Sequence, residues 1–166
     1  MSLGNESQLA AIYDKNLQEG DHVLDLYGGV GLFAASFLPI IGEKGLVDIV
    51  EGSKSATADA ARNFAGRDNV NIYTGDVAQH ITRFSSADVI VLDPPREGAG
   101  KEVIAHSAHL KPRTIVYVAC DPAALARDTS YLHDVGYQLD SMRAFDLFPM
   151  THHIEAIAKF VPSKVS

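Results

Sequence analysis

Residues 22–52 read HVLDLYGGVGLFAASFLPIIGEKGLVDIVEG, and the order of residue types in this stretch decides the fold. An apolar run, Val23 to Leu26, leads into a turn that carries Gly28, Gly29 and Gly31. The helical stretch LFAASFLPII follows, and then a second apolar run, LVDIVEG. Glycine lets the backbone turn tightly and come close to a ligand, and the helix that follows aims its first N–H groups at the same point. Strand, turn, helix and strand at this spacing make a right-handed βαβ unit with parallel strands.

The pattern repeats outward from there. The helix SATADAARNFA is followed by the strand VNIYTGD, the short helix VAQHITRF and the strand DVIVLDPP. Next come the helix KEVIAHSAHL, the strand TIVYVACD and the helix PAALARDTSYLHDVG, closed by Gly136. YQLDSMRAFDLF and HHIEAIAKFV form a last pair of strands, joined too closely for a helical crossover and therefore antiparallel to each other. An earlier helix is expected over Ser7 to Leu17, with Leu9, Ile12 and Tyr13 on one side. VIVLD is apolar without alternation, as in a strand covered on both faces. The expected fold class is α/β: a doubly wound, seven-stranded, mostly parallel sheet with an antiparallel last strand.

Length and composition agree with one domain over 1–166, with 1–3 reading as a residue of expression. The chain has 166 residues, 46% hydrophobic and 21% charged, and no stretch resembles a membrane span or a secretory signal. A cytoplasmic protein is expected. Acidic residues outnumber basic ones 21 to 14, for a net charge of -7. Grip on a nucleic acid comes largely from Lys and Arg against phosphates, so a nucleic-acid substrate would have to be held mostly by other domains. A single cysteine, Cys120, excludes an internal disulfide and a cysteine-cluster metal site.

Ligands of such sheets sit at the carboxyl ends of the strands, so the polar residues there carry the functional reading. Glu51 ends the second strand about 20 residues after Gly31, the offset seen in dinucleotide sites, where an acid takes the ribose hydroxyls. The plain alternative is a solvated acid at a helix start. Asp76 ends the third strand and suits an adenine amino group or the N-cap of the next helix, and the two roles are compatible. These features suit an adenosine and do not separate a dinucleotide from S-adenosylmethionine.

The fourth and fifth strand ends separate them. Asp93-Pro94-Pro95-Arg96 sets a carboxylate and a stiff proline wall at the cleft, useful for holding a planar base against a methyl donor. Cys120 closes the fifth strand immediately before a helix, where a thiolate gains from the helix N-terminus. The competing reading is a buried thiol that only packs.

The segments DLYGGVGLFA, VLDPPREG, IVYVACDPAALARD and FDLFPMTHHIEAIA resemble the RNA 5-methyluridine methyltransferases, over about Asn5 to Lys159. That resemblance implies a Rossmann-like methyltransferase fold, S-adenosyl-L-methionine as cofactor and a uridine in tRNA or rRNA as substrate. It puts the nucleophile at Cys120 and the base at Glu155. Cofactor contacts fall on Tyr27, Leu32 through its backbone, Glu51, Asp76 and Asp93, with Gly29 and Gly31 in the turn beside them. The chain departs from many relatives in having Gly28 where they have cysteine and Asp121 where they have asparagine. A negative charge at Asp121 disfavours the thiolate and slows the reaction. The RNA-binding domains of the family are expected outside this catalytic domain.

In the implied mechanism the thiolate adds to uracil C6, C5 takes the methyl group, and Glu155 removes the C5 proton. The target base has to be unstacked into the cleft. No metal is expected, because His152 and His153 are adjacent and point to opposite faces of a strand. His22, His80, His106, His109 and His133 read as surface. Two alternatives stay open: an amino-methyltransferase acting on an exocyclic nitrogen, which needs no cysteine, and a binding module without catalysis. An RNA 5-methylcytosine enzyme is disfavoured by the lack of a cysteine in the fourth-strand motif.

Overall fold

The computed structural model describes residues 16–148 and 153–164. Seven strands alternate with helices: β1 (His22–Leu26), α1 (Leu32–Ile41), β2 (Leu46–Glu51), α2 (Lys54–Asn63), β3 (Val70–Thr74), then the single turn α3 (Val77–His80). β4 (Val89–Leu92), α4 (Gly100–His109), β5 (Thr114–Ala119), α5 (Pro122–Asp134), β6 (Tyr137–Phe148) and β7 (His153–Pro162) complete the order. The helix expected over Ser7 to Leu17 lies outside the described residues except at its end, where Asn16 sits in a turn.

The strands assemble into one sheet in the order β3-β2-β1-β4-β5-β7-β6. β1 to β5 are parallel, and β7 runs antiparallel between β5 and β6. The expected doubly wound sheet with one antiparallel strand is therefore the observed fold. The strand order reverses between β1 and β4, which puts the ligand crevice of such a sheet above their carboxyl ends.

Alternate residues of the strands feed two cores. Val23, Ile49, Val89, Val91 and Val116 pack under α1 and α2, against Phe33, Phe37 and Phe64. Leu24, Leu26, Ile90, Leu92 and Tyr117 pack on the opposite face with Val77, Ile104, Leu125 and Leu132. β1, β4 and β5 are buried on both faces, which is why their sequences carry no polar alternation. Among the described residues no helix is long and apolar enough to cross a membrane.

Candidate active site

Backbone hydrogen bonds beyond the strand ends tie the loops together. Gly28 N–H donates to Val50 O at 3.2 Å, Gly75 N–H to Glu51 O at 3.0 Å, and Asp93 N–H to Leu26 O at 3.2 Å. Between these loops lies a cavity of about 390 Å³ lined by Tyr27, Glu51, Gly52, Gly75, Asp76, Val77, Asp93, Pro94 and Pro95. Four of the residues expected at the cofactor, Tyr27, Glu51, Asp76 and Asp93, therefore share one cavity, with the two prolines as part of its wall.

The glycine turn reaches this cavity through Glu51. Gly29 N–H donates to one carboxylate oxygen of Glu51 at 2.8 Å, and Ser53 N–H donates to the other at 3.0 Å. Each oxygen keeps a lone pair for a ligand hydroxyl. Gly31 has φ +89 and opens α1; a Cβ there would lie 2.3 Å from the Phe64 ring. Leu32 is the first residue of α1 and is half-buried. Gly29, Gly31 and Leu32 do not line the cavity itself. Tyr27 sits at φ 61, a left-handed conformation unusual for a bulky side chain. Its hydroxyl is pushed up to about 12, first by burial and then by Asp76, Asp128 and Glu97. Asp76 lines the cavity and caps α3, accepting from Ala78 N–H at 3.2 Å.

Carboxylates crowd the floor. Asp25, in the middle of β1, is fully buried and neither of its oxygens closes a hydrogen bond. Burial pushes its carboxyl up to about 8. Asp93 adds to the rise, the nearby Ala34 amide offsets it without reaching hydrogen-bond geometry, and Glu51 adds last. The Asp93 carboxyl is pushed up to about 7, by desolvation first, then by Glu155 and Glu51. Asp93 still has surface open to solvent at the cleft mouth, so water screens part of this effect. Asp25 was not among the residues singled out from sequence; the signal was a carboxylate set between Leu24 and Leu26 in an apolar strand.

The nucleophile candidate and the base candidate meet at the sheet. The β5–β7 register ends at Ala119 opposite Ala156. Cys120 follows the first of these and Glu155 precedes the second, so the two stand just past the same last rung. Cys120 is exposed, which removes the core-packing reading of its thiol. It shares a narrow crevice with Pro94, Pro95, Arg96, Tyr117, Ala119, Asp121 and Ala124. The proline wall thus separates the cavity from the cysteine and borders both.

One expectation is extended and one corrected. Asp121, the charge beside the thiol, is also the N-cap of α5, with Oδ1 accepting from Ala123 N–H at 2.9 Å. The helix N-terminus offsets its charge, and an asparagine would cap in the same way. His22 and His80 are not plain surface residues. Both are half-buried, and His22 Nε2 lies 2.6 Å from Asp48 while His80 Nε2 lies 3.2 Å from Thr74 O. His152 lies outside the described residues.

Comparison with known proteins places this arrangement. The sequence model of the family described as tRNA (Uracil-5-)-methyltransferase matches residues 77–160. A second, Protein-L-isoaspartate(D-aspartate) O-methyltransferase, matches residues 7–105 and stops short of Cys120 and Glu155. An uncharacterized RNA methyltransferase of Streptomyces avermitilis is 49% identical over 148 residues, covering 88% of this chain and 34% of the relative. The 23S rRNA (uracil(1939)-C(5))-methyltransferase RlmD of Acinetobacter baylyi is 40% identical, covering 87% of this chain and 32% of the relative. Among solved structures, the Pyrococcus abyssi tRNA (uracil-54, C5)-methyltransferase in complex with S-adenosyl-L-homocysteine superposes with a TM-score of 0.74 at 29% identity. It is matched over 93% of this chain and 37% of its own. The chain spans about a third of the length of the curated relatives it matches. The match over residues 77–160 takes in the proline wall, Cys120 and Glu155 together, and the chain belongs to the tRNA (uracil-5-)-methyltransferase family.

Proposed function

We propose that this chain is a catalytic domain that transfers a methyl group from S-adenosylmethionine to C5 of a uridine in RNA, through a covalent bond between Cys120 and C6 of the base. The observation that carries this reading is the placement of Cys120 and Glu155 just past one rung, beside the Pro94–Pro95 wall.

The residues present fit the cofactor. A cavity of about 390 Å³ is in the range of small-ligand sites. Glu51 is held by two backbone amides with lone pairs to spare for ribose hydroxyls, and Asp76 lies beyond it for the adenine amino group. The unpartnered Asp25 and Asp93 are carboxyls pushed up by burial and by neighbouring acids, Asp93 and Glu51 for the first and Glu155 and Glu51 for the second, a crowding that a cation relieves. When bound, S-adenosylmethionine supplies a positively charged sulfonium and an electrophilic methyl group.

The chain's own residues do the rest. The Cys120 thiolate forms a bond to C6, and the electrons of the C5–C6 double bond move toward C5 and O4, making C5 a nucleophile. Pro94 and Pro95, without N–H groups and with fixed φ, present a stiff edge against which the ring lies flat. After C5 is methylated, Glu155 takes its proton, the C6–sulfur bond breaks, and the double bond and the thiolate are restored. Positioned proton transfer of this kind contributes roughly 10²–10⁴-fold. RNA is gripped mainly by parts of the longer protein, in keeping with a net charge of -7.

The decisive experiment is a denaturing gel of Glu155→Gln incubated with cofactor and a uridine-bearing RNA hairpin. Loss of the base leaves the C5 proton in place, so a covalent protein–RNA band is expected, and it should vanish when Cys120 is also replaced. Full methyl transfer by Cys120→Ala would overturn the reading.

A further inference from the structure

The loop between β4 and α4, which carries the proline wall, is anchored from α5, the helix that begins just after Cys120. Asp128 of α5 is fully buried. Its Oδ2 accepts from Tyr117 Oη–H at 2.6 Å, from Ala99 N–H at 2.8 Å and from Gly100 N–H at 3.4 Å. Its Oδ1 accepts from Arg127, Nη2 at 2.9 Å and Nε at 3.2 Å. Arg127 Nη2 also donates to Glu97 O at 2.6 Å, and its guanidinium lies 5.9 Å from the centre of the Tyr131 ring. Gly98, between these anchor points, has φ +85, and a Cβ there would come within 2.6 Å of both Asp128 Oδ2 and Arg127 Nη2.

We propose that Asp128 and Arg127 form a clamp that fixes the distance between the Pro94–Pro95 wall and Cys120, and so are positioning residues for the reaction. The inference rests on the reading of Cys120 as nucleophile given above. Three features argue for it. Oδ2 of Asp128 bonds to loop amides and to a β5 side chain, so it acts between elements, and Oδ1 takes Arg127 of its own helix, whose Nη2 reaches on to Glu97 O of the loop. The pair joins a buried carboxylate to a half-exposed guanidinium; such a pair adds little stability, whereas its directional bonds hold groups in one arrangement. The clamp and the cysteine sit on one rigid helix: Asp121 caps it beside Cys120, and Asp128 grips the loop two turns on. Any slack between loop and helix therefore becomes an error in where the base ring meets the thiol.

Arg127 reaches both Asp128 and Glu97 O through one nitrogen, Nη2, and its Nε adds a second bond to Asp128, a two-nitrogen fork that a lysine lacks. Asparagine at 128 would turn an amide donor toward the guanidinium and break the pair from the other side.

The test uses the full chain and two variants, Asp128→Asn and Arg127→Met; the second alters a half-exposed side chain and keeps an apolar stem on Tyr131. Three quantities are read: affinity for S-adenosylhomocysteine by calorimetry, the rate at which N-ethylmaleimide modifies Cys120, and kcat on a uridine-bearing RNA hairpin. A clamp predicts unchanged affinity, a several-fold faster modification of Cys120 as the wall loosens, and a kcat lowered roughly tenfold to a hundredfold. Where the unaltered chain shows no turnover, the maleimide rate decides. Folded variants with unchanged modification and unchanged kcat overturn the clamp. So does a loss of affinity that simply tracks a fall in melting temperature, since that marks a structural role alone. Retained methyl transfer by Cys120→Ala would instead overturn the covalent reading and leave the maleimide result to judge the clamp.

Discussion

Cys120 and Glu155 flank the last rung of the β5–β7 ladder, Ala119 opposite Ala156, although they come from different elements of the chain. Their pairing predicts two different phenotypes. Cys120→Ala should lose methyl transfer and keep cofactor affinity, because the thiol does not line the cavity that holds Glu51, Asp76 and Asp93. Glu155→Gln should accumulate the covalent adduct, read as a retarded band under denaturing conditions. An amino-methyltransferase would retain activity without the thiol.

Glu51 links two strand ends, accepting from Gly29 and Ser53 amides. Glu51→Ala should weaken cofactor binding by about 1.5–3 kcal/mol, measured by calorimetry. Glu51→Gln should lose less, since its carbonyl can still accept one of the two amides. Equal affinity for all three proteins would take Glu51 out of the site.

The Asp25 carboxyl, ordinarily near 3.8, is pushed up to about 8 in the fold. Between those values the folded chain keeps a proton that the unfolded chain has released. Stability therefore falls as pH rises through that window, by up to about 1.4 kcal/mol per unit. Asp25→Asn has no proton to lose there, so urea midpoints should show the variant gaining on the parent from about pH 5 to about pH 8. Parallel curves would show that Asp25 is ionised when folded.

The Asp93 carboxyl is pushed up to about 7, so its charged fraction grows as pH rises through neutrality. Affinity for S-adenosylmethionine should therefore tighten from about pH 6 to about pH 8. S-adenosylhomocysteine, which lacks the sulfonium charge, should respond less. Identical pH profiles for the two compounds would separate Asp93 from the sulfonium.

Gly29 and Gly31 both have positive φ, but only Gly31 is also crowded. A Cβ at Gly29 meets nothing within 4 Å, so Gly29→Ala should cost about 1–2 kcal/mol, the left-handed strain alone. Gly31→Ala should cost more, because Phe64 has to move as well, adding about 1–3 kcal/mol. Urea denaturation of the two variants checks the order.

The sheet was legible because its strands are short apolar runs closed by glycine, acid or proline, and each helix between them carries an apolar stripe. The cavity at the strand ends was legible for the same reason: Tyr27, Glu51, Asp76 and Asp93 all stand there. What the sequence hid was contact between side chains distant in the chain. Asp25 and Asp128 occupy positions where the strand and helix patterns call for apolar residues. Burial is then expected, but the partner is not: Asp128 finds Tyr117 and two loop amides, while Asp25 finds none. Asp121 was read only as a charge beside the thiol, and its second role, capping the helix that follows, came from the structure.

β7, threaded between β5 and β6, follows the other six strands of this sheet in chain order, so synthesis makes it after them. A nascent chain folding from its N-terminal side has β1 to β4, and so the walls of the nucleoside cavity, before Glu155 has left the ribosome. Until the final strand slots in, the thiol of Cys120 has no base beside it. Vectorial synthesis thus separates acquisition of the donor site from acquisition of the pair that commits a uridine, and a polypeptide interrupted before β7 would carry the first without the second.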